Sequence, residues 1–141
     1  MPTAPETQEP AVRTWHALHT LHTRVQQALT TALRRYDLTL ADHAMLQAAH
    51  ALHPQPAHCL SLYAATELST SAASRRITRL QTRGLIECRP SRHDRRCVET
   101  RLTDTGRTLA ERARTAHDAV LTRLLEPVPA ELLTAAGGST A

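Results

Sequence analysis

Trp15, Leu18, Leu21, Val25, Leu29 and Leu33 recur at spacings of three and four residues, a rhythm that only a helix gathers onto one face. A long amphipathic helix is therefore predicted over residues 12–36, after a polar, proline-bearing tail at 1–10 that reads as disordered. The pattern breaks at 38–42, where Thr39 is a candidate N-cap, and a second helix is predicted over 41–52. Pro54 and Pro56 make 53–58 a loop. A short helix follows at 60–67. Ser69, Thr70 and Ser71 then offer caps for a helix over 71–83, with Ala73, Ile77 and Leu80 inward and Gly84 closing it as C′. Residues 85–89 and 97–102 are β-prone and flank a polar loop at 90–95, which predicts a hairpin with a charged tip. Thr103 caps a last long helix over 104–125, with Leu109, Ala113, Ala116, Val120 and Leu124 on one face, ended by Pro127 and Pro129. Residues 127–141 form a short segment that reads as frayed.

The order is four helices, a hairpin and a helix, a mostly α fold with a small β-hairpin wing. The two outer helices are longer than the middle unit can cover. Their apolar stripes need a partner, and a second copy of the chain is the simplest one.

Composition narrows the class. A chain of 141 residues fits one domain, placed at 11–126. Aromatics are only 2% of it, with no Phe, so the core must be built from Leu, Ala, Val and Ile, and Leu and Ala favour helix. No run of apolar residues is long enough for a membrane span, and no signal peptide is visible at the N-terminus. Three Cys without a CxxC pair point to a reducing cytoplasm. The chain has no Gly-rich phosphate loop, no H-E-x-x-H and no G-x-S-x-G, so it is read as a non-enzyme without a cofactor.

Charge adds the first functional signal. All 17 basic residues are Arg, and nine of them lie between positions 75 and 101. Glu87, Asp94 and Glu99 offset only part of this, which leaves the segment strongly basic, as a polyanion partner requires. Residues 60–84 then read as a helix-turn-helix, with 85–102 as its wing. In such a unit the second helix enters the major groove and its N-terminal residues meet base edges. With Ala73, Ile77 and Leu80 inward, Ser71, Ser74, Arg75, Thr78 and Arg79 point outward, small polar groups and Arg suited to phosphates and bases. The N–H groups at Thr70 and Ser71 can hold a phosphate. At the hairpin tip Arg92, Arg95 and Arg96 can reach a minor groove, and Asp94 among them is read as structural, pairing with a wing Arg to fix the loop.

The stretch 68–106 resembles the MarR (multiple-antibiotic-resistance regulator) family. That family carries a wing pattern D-x-R, five residues, then L-T-x-x-G, and Asp94, Arg96, Leu102, Thr103 and Gly106 reproduce it with the spacing intact. The resemblance implies a winged helix-turn-helix flanked by long dimerisation helices. It further implies a homodimer on a palindromic operator in double-stranded DNA, often a repressor released by a small ligand or by oxidation. Three departures stand out: Glu67 replaces a usual Gly in the turn, Thr66 replaces an apolar residue, and the last helix is cut to about 129–136. The family places its effectors between the dimer helices and the winged unit. That position implies a small apolar or aromatic effector lined by Trp15, His16, His43 and Met45. Zinc-responsive members use an acidic-His pair near Asp42-His43 with His from the last helix. Only His117 is available there, so the nine His are read as surface residues and no metal is expected. Cys59 takes a core position. Cys88 and Cys97 lie opposite or nearly opposite if the hairpin is symmetric about 91–94, with Arg89 and Arg96 lowering their thiol pKa, yet they are read as unrelated thiols.

Overall fold

The computed structural model describes residues 8–92 and 98–128. Helix α1 spans Gln8–Arg34, with Glu9 in its first turn and Arg34 in its last, each complementing the helix dipole. It starts four residues earlier than the pattern predicts, so 8–10 are helical rather than tail. Pro10 is tolerated because a first-turn residue has no helical N–H bond to lose. Leu29 and Leu33 are buried, whereas Val12 and Trp15 are 50% and 64% exposed. Among the described residues, only the C-terminal part of the α1 stripe therefore finds cover.

The chain leaves α1 through Asp37, which has φ 53. Leu38 N–H donates to the Leu33 carbonyl at 3.2 Å and Asp37 N–H to the Arg34 carbonyl at 3.0 Å, the two bonds of a Schellman stop. Helix α2, Leu40–Leu52, opens with a capping box: Asp42 N–H donates to Thr39 Oγ1 at 3.1 Å and Thr39 N–H to Asp42 Oδ2 at 2.9 Å. Strand β1, Ala57–His58, forms within the expected loop, and α3, Cys59–Ala64, follows at once. Helix α4, Thr70–Thr82, is capped by Ser69, with Ala73, Ile77 and Leu80 buried as predicted. It ends in a second Schellman stop, with Gly84 at φ 73, Gly84 N–H to the Gln81 carbonyl and Leu85 N–H to the Leu80 carbonyl.

Strands β2, Ile86–Pro90, and β3, Val98–Leu102, pair antiparallel, and β1 joins β3 on its other side. Cys88 faces Thr100 across the ladder, which corrects the expected opposition to Cys97. The hairpin is centred nearer 94 than the symmetric reading assumed, and Cys97 itself lies outside the described residues. Thr100 Oγ1 donates to the Ala57 carbonyl at 3.0 Å, a tie between β3 and β1.

Helix α5, Asp104–Leu125, is capped by Thr103 as predicted. Its buried positions are Gly106, Ala110, Ala113 and Val120. Leu109, Ala116 and Leu124 are only half-buried, so the stripe is rotated from the predicted one toward smaller residues. The core lies where α2, α3, α4 and the sheet meet the end of α1 and the first half of α5, around Leu33, Leu46, Leu62, Leu80 and Ile86. Among the described residues no helix is long and apolar enough to cross a membrane.

Candidate nucleic-acid interface

Helix α3, the turn and α4 form the helix-turn-helix. The turn accommodates both unusual residues: Thr66 Oγ1 donates to the Tyr63 carbonyl at 3.0 Å, so the hydroxyl satisfies a carbonyl at the α3 end, and Glu67 stays exposed. Burying Ala73, Ile77 and Leu80 fixes the rotation of α4. Thr70, Ser71, Ser74, Arg75, Thr78 and Arg79 are consequently all exposed, on the outer side of the helix. Thr78 Oγ1 donates its proton to the Ser74 carbonyl at 3.1 Å, which leaves its lone pairs to accept from outside.

The sequence reading missed how two arginines of α4 and the one at its C-cap are held. Arg76 Nη1 lies 3.7 Å from Oδ2 of Asp42, a carboxylate with 0% exposure, whose Oδ1 has no hydrogen-bond partner among the described residues. Arg79 Nη2 is 3.6 Å from Asp37 Oδ1. Arg83 donates through Nη1 to the Asp37 carbonyl at 2.6 Å and through Nη2 to the Tyr36 carbonyl at 3.1 Å. Their spacing along α4, three and four residues, places them on one flank, and that periodicity was the only available signal. Arg75 points elsewhere.

In the wing, Arg92 is exposed. Asp94, Arg95 and Arg96 lie outside the described residues. Cys88 is half-buried, and burial, then the neighbouring Cys59, push its thiol above its ordinary value. The lowering expected from the arginines is thus corrected for Cys88: Arg89 is turned to the outer face, 3.6 Å from Glu87, while Cys88 turns to the core.

The four residues implied as effector contacts are not brought together. Trp15 and His16 are exposed on α1, with Trp15 stacked on His19 at 6.1 Å, while His43 and Met45 are buried in α2, which corrects the surface reading for His43: it lies on the inward face of that helix. His43 instead stacks on His117 of α5, ring centroids 4.5 Å apart, and His117 Nδ1 is 3.0 Å from Asp118 Oδ1. Among the described residues no group of three His, Cys, Asp or Glu could hold a metal ion.

His43 has a pKa lowered from 6.5 to about 4, first by burial, then by the charge of His117 and of Arg114, against the opposing pull of Asp118. The unfolded chain therefore binds more protons than the folded one between these two values, and stability must fall as pH drops through that window. The gap corresponds to on the order of 3 kcal/mol. Thermal melts from pH 7 to pH 4 should show this loss in the wild type and much less of it in His43→Leu. An identical acid dependence in the two proteins would rule His43 out as its source.

The arrangement is a three-stranded wing packed on a helix-turn-helix, with a long helix on either side in sequence: a winged helix-turn-helix protein. Residues 61–96 match the model of the MarR family. No curated protein matches the chain. Among solved structures it is similar to AbsC, a MarR-family transcriptional regulator from Streptomyces coelicolor, at 22% identity and TM-score 0.79, covering 94% of this chain and 89% of that one. It is similar to CouR from Rhodococcus jostii bound to p-coumaroyl-CoA, at 24% identity and TM-score 0.73, covering 83% and 81%. A cysteine-to-serine mutant of MarR from E. coli complexed with operator DNA matches at 19% identity and TM-score 0.73, covering 91% of each chain. The chain has the fold of the MarR-family transcription regulators.

Proposed function

We propose that this chain is a sequence-specific DNA-binding transcriptional regulator, a cytoplasmic homodimer that represses from a palindromic operator until a small effector releases it. The observation that carries the reading is the outer face of α4, where Thr70, Ser71, Ser74, Arg75, Thr78 and Arg79 are exposed together while Ala73, Ile77 and Leu80 lock the helix to the core. Arg92, Arg95 and Arg96 are proposed to serve the wing and Asp94 to brace it, and the likeness of fold to E. coli MarR in complex with operator DNA supports the DNA-binding reading.

The dimer is supported by the uncovered part of the α1 stripe. Val12 and Trp15 are exposed, and a cleft of about 250 Å³ between α1 and the end of α5 is lined by Leu18, Leu21, Val25, Leu29 and Leu125. Such a face is apolar enough to be covered by its own copy. The effector is proposed to be a small apolar or aromatic molecule; BpsR of Bordetella bronchiseptica, whose DNA binding is regulated by 6-hydroxynicotinic acid, supports that class by analogy of fold. Trp15, His16, His43 and Met45 remain its proposed contacts, and a separate cleft of about 450 Å³ at the start of α5, which none of the four lines, is a second candidate. Tyr36, Leu109 and Arg112 there could stack on a ring and pair a carboxylate.

Selection of bound sites from random DNA, followed by salt titration of the selected duplex, tests the reading. A palindromic site is expected, bound by a dimer. The log affinity should fall against log salt with a slope of about −0.9 per phosphate neutralised. Leu21→Glu should yield a monomer with weak binding, since burying a Leu contributes roughly 1.5–3 kcal/mol. Salt-independent binding, or tight binding of the full palindrome by a monomer, would overturn it.

A further inference from the structure

Arg79 belongs to two sets at once. It is on the exposed face of α4 that the DNA reading turns toward the duplex, and its guanidinium lies 3.6 Å from Asp37 Oδ1. The other oxygen of the same carboxylate lies 3.9 Å from Arg83 Nη2, and Arg83 also donates to the Asp37 and Tyr36 carbonyls. Asp37 is therefore a single residue, in the left-handed turn between α1 and α2, that presents both carboxylate oxygens and its carbonyl to α4. The carboxylate itself is 78% exposed, and exposed pairs contribute little to folding. An acidic side chain at the flank of a helix meant for a polyanion works against binding unless it serves recognition.

We infer that Asp37 is a positioning residue that sets DNA specificity: it withholds Arg79 from indiscriminate phosphate contact and fixes the C-terminal half of α4 against the α1–α2 corner. The inference rests on the DNA-binding reading above. Phosphate contact by Arg is independent of sequence and dominates non-specific affinity. On random DNA nothing but charge holds the protein, so an Arg79 released from Asp37 would find a phosphate in nearly every pose. On the operator, base contacts from the N-terminal half of α4 dictate the pose, and that pose depends on the helix being held at its other end through Arg79 and Arg83. Loss of Asp37 therefore strengthens binding to random DNA more than binding to the operator.

Asp37→Asn tests this without disturbing the turn, because Asn is among the few residues that tolerate the left-handed region. Wild type and D37N are compared on the selected operator and on a random-sequence duplex of equal length, each across a salt series. Affinity for the random duplex should rise roughly 3–10-fold at moderate salt, with the log–log slope steeper by about 0.9 for each Arg79 that gains a phosphate. The operator should gain less, so the ratio of the two affinities falls. A purely structural role would instead lower both affinities together and leave the slope unchanged. Arg79→Gln in the D37N background should remove the added slope, which assigns it to Arg79. Unchanged slope and unchanged random-duplex affinity in D37N would overturn the inference while leaving the DNA reading intact. A wild type that binds neither duplex would overturn both.

Discussion

Arg75→Ala is expected to weaken operator binding by roughly 1–3 kcal/mol per half-site and to relax base preference at one position of each half-site. The structure singles Arg75 out from its neighbours. Arg76, Arg79 and Arg83 are drawn to Asp42, Asp37 and the Tyr36 carbonyl, and so face the α1–α2 corner. Arg75 lies one position off that flank, exposed, in the first half of α4, the half that would meet base edges if α4 docks as recognition helices do. Its planar fork can give two parallel hydrogen bonds to a guanine, and a dimer on a palindrome would lose the contact twice. The measurement is a competition between the selected operator and its single-base variants. Wild type should discriminate sharply at one position, and Arg75→Ala should not. Arg92→Ala, by contrast, removes an exposed wing charge and should weaken all duplexes alike. Equal loss on every sequence in Arg75→Ala would make Arg75 a phosphate contact and move base recognition to Ser71, Ser74 or Thr78.

What could be read from the sequence was local. The inner face of α4 follows from three apolar residues at helical spacing, and the caps at Thr39 and Thr103 from hydroxyls placed before apolar periodicity. The structure departs where the determinant is distant or atypical. Strand β1 exists because Ala57 and His58 pair with Thr100 and Glu99 some forty residues on, and nothing in a two-proline loop announces that. The stop after α1 is built on Asp37 instead of Gly, so its left-handed turn is invisible to a rule that looks for glycine. The latch of α4 onto the corner joins residues about forty positions apart. The α5 stripe is legible at Ala113 and Val120 but not at Gly106 and Ala110, whose small side chains carry little apolar signal. The side of α5 that packs inward carries Gly106, Ala110 and Ala113, and close approach of a helix to other backbone selects for small side chains.

That same close approach makes Gly106→Ala the substitution expected to harm the fold most. Helix propensity alone gives the opposite sign, since Ala is favoured over Gly by about 1 kcal/mol inside a helix. Packing decides otherwise. A β-carbon on Gly106 would overlap the Leu85 carbonyl oxygen and crowd the Leu85 carbonyl carbon. These are backbone atoms, and they cannot swing aside. Leu85 is fixed by the Schellman stop of α4, and its carbonyl accepts from Thr103 N–H at 3.1 Å. Thr103 in turn donates from Oγ1 to the Gly84 carbonyl at 2.6 Å and accepts from Gly106 N–H at 3.0 Å. The end of α4, the exit of β3 and the first turn of α5 are thus tied through one small group of backbone atoms. Relieving the overlap requires moving α5 away from all of them, and an overpacked rigid contact of this kind should cost about 3 kcal/mol or more, a large part of a small domain's stability. Gly84→Ala provides the contrast. Among the described residues nothing lies within 4 Å of a β-carbon there, and the left-handed φ of 73 is the unfavourable feature, so its cost should be about 1–2 kcal/mol. Chemical denaturation of the two variants should rank Gly106→Ala well below Gly84→Ala, and Gly84→Ala below wild type. A Gly106→Ala protein as stable as wild type would mean that α5 can lift from Leu85 at little expense, and that Gly106 owes its place to something other than this contact.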